Sequence, residues 1–147
     1  MRKFSGMKTK IKDRVIRNLA AIAAVAALFF LQGCGKEELY FSVQDAALLG
    51  NVYLYQEIAE NGTKKGSPYA VGLEQEGDGV CFTVSIRKTG FYDLDFSASG
   101  IGSGKYNIVR VDGAEEGLLY TPESEGFQEC VLQKIYLKEG THQIELL

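Results

Sequence analysis

The sequence has 147 residues, 46% of them hydrophobic and 24% charged, with 17 glycines, 2 prolines and a formal charge of −3. That length holds one ordinary domain and excludes a large multi-domain enzyme, and the composition is globular rather than disordered or collagen-like. Lys and Arg crowd only into the first 17 residues, which excludes a basic nucleic-acid-binding surface in the remainder.

These averages join two unlike pieces. Residues 1–17 carry seven basic side chains (Arg2, Lys3, Lys8, Lys10, Lys12, Arg14, Arg17) and one acid, Asp13. Residues 19–31, LAAIAAVAALFFL, contain no charge and no strong breaker. A helix that crosses a bilayer takes about 20 apolar residues, so this run is short for a permanent anchor. A basic stretch followed by a short apolar one reads as an export signal, expected to be helical. Leu31-Gln32-Gly33-Cys34 closes it and resembles the bacterial lipobox: aliphatic, variable, small, cysteine. The resemblance implies diacylglyceryl transfer to the Cys34 sulfur, cleavage before Cys34 and acylation of the new amino terminus. Residues 1–33 are then a lipoprotein signal peptide, 34–39 a lipidated tether and 40–147 the domain. Two or three acyl chains, at about 0.8 kcal/mol per buried CH₂, hold such a product at a membrane, outside the cytoplasm.

Removal of residues 1–33 leaves 9 basic and 18 acidic side chains, a charge of about −9. So acidic a surface repels anionic headgroups and disfavours a polyanionic ligand. Cys81 and Cys130 remain. An oxidising exterior permits a disulfide between them, provided that the fold brings their Cα atoms within bonding range.

After the tether, period-two segments alternate with turn signals, the mark of an antiparallel β-sandwich or barrel. Residues 39–43 open the series, the polar stretch 60–68 interrupts it, and 69–73 resume it. In residues 80–86, Val80, Phe82, Val84 and Ile86 share one face; in the next strand Tyr92, Leu94, Phe96 and Ala98 oppose Asp93, Asp95 and Ser97. Residues 106–111 form a further strand ended by Asp112-Gly113, a strong hairpin pair. Residues 127–137 and 141–147, joined by Lys138-Glu139-Gly140, complete the pattern. Only 45–49 and 55–60 admit a helical period, and both are short. The fold class expected is an all-β, two-sheet sandwich.

Several stretches, taken in order, resemble carbohydrate-binding modules of families 35 and 6, which have a galactose-binding-like jelly-roll sandwich. They are Phe41-Ser42-Val43-Gln44-Asp45-Ala46, then Ser67-Pro68-Tyr69-Ala70-Val71-Gly72, Gly79-Val80-Cys81-Phe82-Thr83-Val84 and Gly90-Phe91-Tyr92-Asp93-Leu94. Asn107-Ile108-Val109-Arg110-Val111-Asp112-Gly113 and Leu137-Lys138-Glu139-Gly140-Thr141-His142-Gln143-Ile144 follow, so the resemblance covers residues 40–147. It implies a non-catalytic domain that holds a polysaccharide or oligosaccharide, in the manner of the N-terminal module of a mannanase-like enzyme, and that works as a monomer. The family's calcium-binding glutamates are replaced here by Ser42 and Gln44, and calcium prefers six to eight oxygens, several of them charged; a structural calcium ion is doubtful and no other cofactor is implied. The family's final Ile-Asp-Tyr-Ile strand is also missing. Either the product is truncated or that strand is supplied otherwise.

Sugar C–H faces stack on aromatic rings while hydroxyls bond to amides and charged groups. On that chemistry Tyr69, Tyr106, Tyr120 and Phe127 are candidate platforms, and Asn107 a candidate amide. Core or sheet-surface packing is the competing role for each, since tyrosine is common on half-buried strands. Asp93 and Asp95 share a face as a glycosidase pair would, but such pairs flank a cleft with one raised pKa; a solvated face explains them better. Glu74-x-Glu76-x-Asp78 lacks a full calcium-loop pattern and reads as an acidic loop. His142, the only histidine, sits at a turn exit and reads as structural. Two further readings stand beside glycan binding: a structural or protein-interaction sandwich, and a small hydrolase or lyase, for which no nucleophile–base pair is evident. The lipobox reading makes one direct prediction. Labelled palmitate is incorporated by the expressed protein and is lost in Cys34→Ala; incorporation that persists in the variant refutes it.

Overall fold

A computed structural model describes residues 24–33 and 38–147; residues 1–23 of the expected signal peptide, the expected lipidation site Cys34 and the expected tether as far as residue 37 lie outside it. Among the described residues the chain forms eleven strands and one 3₁₀ turn: β1 (Ala24–Gly33), β2 (Glu38–Ser42), the turn Val43–Asp45, β3 (Ala47–Leu49), β4 (Tyr53–Ile58), β5 (Lys64–Val71), β6 (Gly79–Ile86), β7 (Gly90–Ser99), β8 (Lys105–Val111), β9 (Ala114–Thr121), β10 (Gln128–Leu137) and β11 (Gly140–Leu146). They make two antiparallel sheets. The first runs β10-β7-β1-β5-β4, with β2 also on β1; the second runs β3-β6-β11-β8-β9.

The inward rows are those that the alternation marks. Val80, Phe82, Val84 and Ile86 of β6 face Leu94, Phe96 and Ala98 of β7 in one buried cluster, joined by Val109, Val111, Leu119, Ile135, Leu137, Ile144 and Leu146. Phe82 and Phe96 meet with ring centroids 6.5 Å apart. Both rings are fully buried, and truncating either to Ala costs about 3–5 kcal/mol.

Several local readings of the sequence change. Residues 55–60 are not helical but belong largely to β4, and 45–49 divide between the 3₁₀ turn and β3. The polar interruption is shorter than expected, because Lys64 already pairs with Ile58. β9 adds a strand directly after the Asp112-Gly113 turn, whose φ values of 51° and 82° suit a tight hairpin. Ala24–Gly33, within the segment read from the sequence as an export signal, forms β1, paired with β2, β5 and β7. An uncharged apolar run of this length satisfies a strand inside a sheet as well as it satisfies a helix.

Cys81 and Cys130 are buried free thiols. Cys130 lies in the core cluster and Cys81 outside it, because Cys81 alternates with the inward Val80 and Phe82 on β6. The two therefore do not form the disulfide that export would permit. Burial raises both thiol pKa values, which keeps them protonated and unreactive.

The β10–β11 turn is locked to the β8–β9 turn by the single histidine. His142 Nδ1 lies 2.7 Å from Asp112 Oδ2 and Nε2 lies 2.7 Å from the Lys138 carbonyl oxygen, while Asp112 Oδ1 accepts the Gln143 N–H at 2.8 Å. Both ring nitrogens face acceptors, an arrangement that the doubly protonated ring satisfies. Burial opposes that charge, but the bonds to Asp112 and Lys138 and the Asp112 charge outweigh it, so the His142 pKa is raised above its ordinary value. The Asp112 carboxyl is correspondingly lowered, first by the Gln143 N–H and then by His142. A raised folded-state pKa gives stability that is complete below the unfolded value of 6.5 and is lost as pH rises through the folded value. The melting temperature of the wild type is therefore expected to fall, relative to that of His142→Gln, as pH rises from about 6 to about 9. Parallel curves for the two proteins would refute the clamp.

Candidate functional site

On β5, Ala70 points into the core, so Tyr69 and Val71 lie on the outer face of the first sheet. Their partners across the edge pair are Tyr55 and Tyr53 respectively, which places three tyrosines on one outward face beside a buried Val71. Tyr69 is its centre: the Tyr55 ring is tilted against it at 5.4 Å, and Phe127, just before β10, meets it edge-on at 5.2 Å. Burial, then the neighbouring Tyr55, raises the Tyr69 phenol pKa. Tyr53 and Phe127 are the most open rings of the group, 44% and 37% exposed.

Tyr53 also lines a cleft of about 310 Å³ with Asn51, Gly72, Glu74, Gln75 and Asp78. Asp78 organises it from beneath. Its Oδ1 accepts the Asn51 backbone N–H at 2.8 Å and side-chain N–H at 3.2 Å; its Oδ2 accepts the N–H groups of Gln75 at 2.9 Å and Glu74 at 3.3 Å. These bonds hold its carboxyl below the usual carboxylate range, the Asn51 N–H first among them. Asp78 is thus a buried anchor rather than part of a solvated acidic loop. Gly50 leaves the room it needs: at φ 66° a Cβ there would strike Asp78 Oδ1. From below, Lys105 Nζ donates to the Leu73 carbonyl; burial lowers its pKa, against the opposing charges of Glu74 and Asp78. Asn51, Glu74 and Gln75 are exposed at the rim. An aromatic row that ends in a fixed cleft of amide and carboxylate groups suits a polyhydroxylated ring with one apolar face.

The remaining candidates separate from this patch. Tyr106 and Tyr120 are cross-strand partners on the outer face of the second sheet, with rings 5.0 Å apart and exposures of 68% and 51%. Leu118 continues that stripe, and a Cβ at Gly104 would meet the Tyr120 hydroxyl. Asn107 does not reach either surface. It is 2% exposed and donates from Nδ2 to Thr121 Oγ1 at 2.9 Å, so its role is to satisfy a polar pair inside the sandwich. Asp93 accepts the Lys134 N–H at 2.9 Å, which pins the β10 bulge where Lys134 takes φ 62°. Burial, then Glu129, raises the neighbouring Asp95 carboxyl.

Ser42 and Gln44, which stand where the resembled family has calcium-binding glutamates, bring no carboxylate to such an ion. Ser42 Oγ accepts the Gln44 N–H at 3.2 Å and caps the 3₁₀ turn, and among the described residues no group of three or more His, Cys, Asp or Glu is placed to hold a metal. Sequence reasoning missed Asn51, Tyr53 and Tyr55. The spacing of Tyr53 and Tyr55, two apart, was the available signal, since it puts both on one face of a strand.

No protein-family model matches the chain. It is 27% identical over 120 residues to mannan endo-1,4-β-mannosidase B of a Piromyces species, across 82% of this chain and 20% of that protein; it spans about a fifth of that relative's length. A Paenibacillus cycloisomaltooligosaccharide glucanotransferase, solved with cycloisomaltoheptaose, superposes with a TM-score of 0.58 and 25% identity over 72% of this chain and 15% of that one. The Podospora anserina GH26-CBM35 β-(1,4)-mannanase gives 0.59 and 18% over 82% and 24%. A family 35 carbohydrate-binding module from Clostridium thermocellum gives 0.55 and 17% over 79% of this chain and 84% of the module. The chain therefore has the β-sandwich fold of a family 35 carbohydrate-binding module.

Proposed function

We propose that the protein binds a polysaccharide or oligosaccharide without cleaving it, as a lipid-anchored extracytoplasmic module of a mannanase-type, polysaccharide-degrading protein. The observation that carries this reading is the row Tyr53, Tyr55, Tyr69 and Phe127 running into the cleft of Asn51, Glu74 and Gln75. Rings supply stacking faces and the rim supplies directional hydrogen bonds, while Asp78 holds the loop so that little ordering entropy is lost on binding. The likeness to a mannosidase sequence and to a mannanase structure supports mannan as the first ligand to try. A non-catalytic role accords with Asp93, whose carboxylate is tied to the backbone of β10 rather than paired with Asp95 across a substrate. The lipid anchor rests on the Leu31–Cys34 sequence alone.

The flat stripe of Tyr106, Leu118 and Tyr120 supports a second reading, a protein-contact sandwich, because an apolar face of that kind has few polar groups to orient a sugar.

Affinity gels containing mannan, galactan, xylan or pectin test the proposal. The protein is expected to be retarded by at least one of them, with Kd on the order of 10⁻⁵–10⁻³ M, about −4 to −7 kcal/mol. Tyr53→Ala and Phe127→Ala each weaken binding by about tenfold, a loss of about 1.4 kcal/mol, while Tyr106→Ala leaves it unchanged. Loss in Tyr106→Ala alone would move the site to β8 and β9, and no retardation by any gel would favour the protein-contact reading. Asn107→Ala separates structure from binding. It lowers stability by about 1–3 kcal/mol in urea unfolding, yet the folded variant keeps its Kd; a tenfold weaker Kd with unchanged stability would return Asn107 to the ligand.

A further inference from the structure

The charged residues that line the cleft at the end of the aromatic row, Glu74 and Asp78, are both acidic. The Asp78 carboxyl is held below the usual carboxylate range, first by the N–H groups of Asn51 and Gln75, so it stays ionised at neutral pH. Glu74 is exposed at the rim. Its backbone N–H is shared between the Gly72 carbonyl at 3.0 Å and Asp78 Oδ2 at 3.3 Å, which ties the chain at that point. Glu76, exposed on the same loop, adds a third acid.

The neighbouring cations do not reverse this sign. Lys105 is half-buried and reaches the loop from beneath, where its Nζ donates to the Leu73 carbonyl. Its one positive charge stands against those of Glu74, Glu76 and Asp78. Lys65, further along β5 from Tyr69, lies 3.8 Å from Glu57, an acid whose charge also bears on the Tyr69 phenol. A sugar ring in the cleft therefore meets carboxylate oxygens that accept hydroxyl protons, and none of the cleft-lining residues is a cation able to receive an acid group. A hexose and its uronate differ in one substituent, a hydroxymethyl group against a carboxylate. The hydroxymethyl group donates a hydrogen bond to a carboxylate oxygen. A carboxylate in its place donates nothing, sheds bound water to enter and faces charge of its own sign.

We propose that this cleft is a charge filter and that Glu74 sets it: the cleft admits neutral hexose units and rejects the same sugars carrying a carboxylate at C6. The filter rests on the glycan reading of the row and the cleft, and it narrows that reading to uncharged polysaccharides.

The test compares matched polymers in affinity gels run on the full chain: mannan and galactan, and each of them after oxidation of its C6 hydroxymethyl groups to carboxylates. Whichever polymer retards the wild type is expected to bind about tenfold more weakly in its oxidised form. Salt at about 1 M, where the screening length is about 3 Å, is expected to remove most of that difference. Glu74→Gln narrows the ratio between the two forms, and Glu74→Lys reverses it. Because the ratio is taken within each variant, a general loss of affinity or stability leaves it readable. Equal or tighter binding of the oxidised polymer by the wild type would overturn the filter. So would a loss that persists both in high salt and in Glu74→Lys, which would assign the discrimination to the shape of the substituent. A ratio that collapses in salt but is the same in Glu74→Lys would overturn the role of Glu74. Binding of neither polymer in either form would overturn the glycan reading itself, and the filter with it.

Discussion

The contact of two inward apolar rows, centred on Phe82 against Phe96, fixes where every other side chain points. Side chains alternate along a strand, so a one-residue slip exchanges its core and solvent faces. Tyr69 faces outward because Ala70 faces in, and Tyr106 faces outward because Asn107 and Val109 face in. The register is pinned at the ends by polar devices: the Asp112-Gly113 turn, the His142 clamp to Asp112 and Lys138, and Asp93 on the Lys134 bulge. Each joins neighbouring strands at a point where slippage would otherwise cost little.

The two aromatic patches differ in what surrounds them. Tyr106 and Tyr120 lie on a flat sheet face beside Leu118, and their neighbours add area rather than direction. The Tyr69 group lies next to loops whose conformation is set by a buried carboxylate with four backbone or amide donors. A saccharide offers hydroxyls in fixed directions, and a ring alone does not read them. Rigid amide and carboxylate groups next to a ring do, which is why the proposed glycan surface is the edge of the first sheet although its rings are less exposed.

The sequence made the central strands legible and the edge strands obscure, for one physical reason. β6, β7 and β8 each bury one face and wet the other, and their alternation is plain in Val80 to Ile86 and in Tyr92 to Ala98. At the edge, β4 buries little, and residues 55–60 admit a short helical period. β5 begins with Lys64, Lys65 and Gly66, which read as loop until the pairing with β4 is known. β9 carries two glutamates and a glycine before its inward Leu119 and Thr121. The candidate site suffers accordingly: Tyr69 and Phe127 are legible in the sequence as stacking rings, while Tyr55 is obscured by the helical period of 55–60, and Asn51 and Tyr53 precede it in a stretch without clear alternation. Asn107 erred in the opposite direction, since its place in the inward row with Val109 and Val111 outweighs the chemistry of its amide.

On the reading of residues 1–33 as an export signal, the ten residues of β1 meet two incompatible demands, and chain order decides between them. As part of an export signal they must stay extended or helical and apart from the domain; as β1 they lie at the middle of a sheet. Phe29 pairs with Phe96, 67 positions later in the sequence. At about 5–20 residues per second of synthesis, roughly 3 to 13 s pass between the appearance of the two. Pairings so distant in sequence also form late in folding, after local hairpins such as β8–β9. An apolar signal is thus available to a membrane well before β7 exists to compete for it. On the export reading, that order of synthesis favours export over strand insertion.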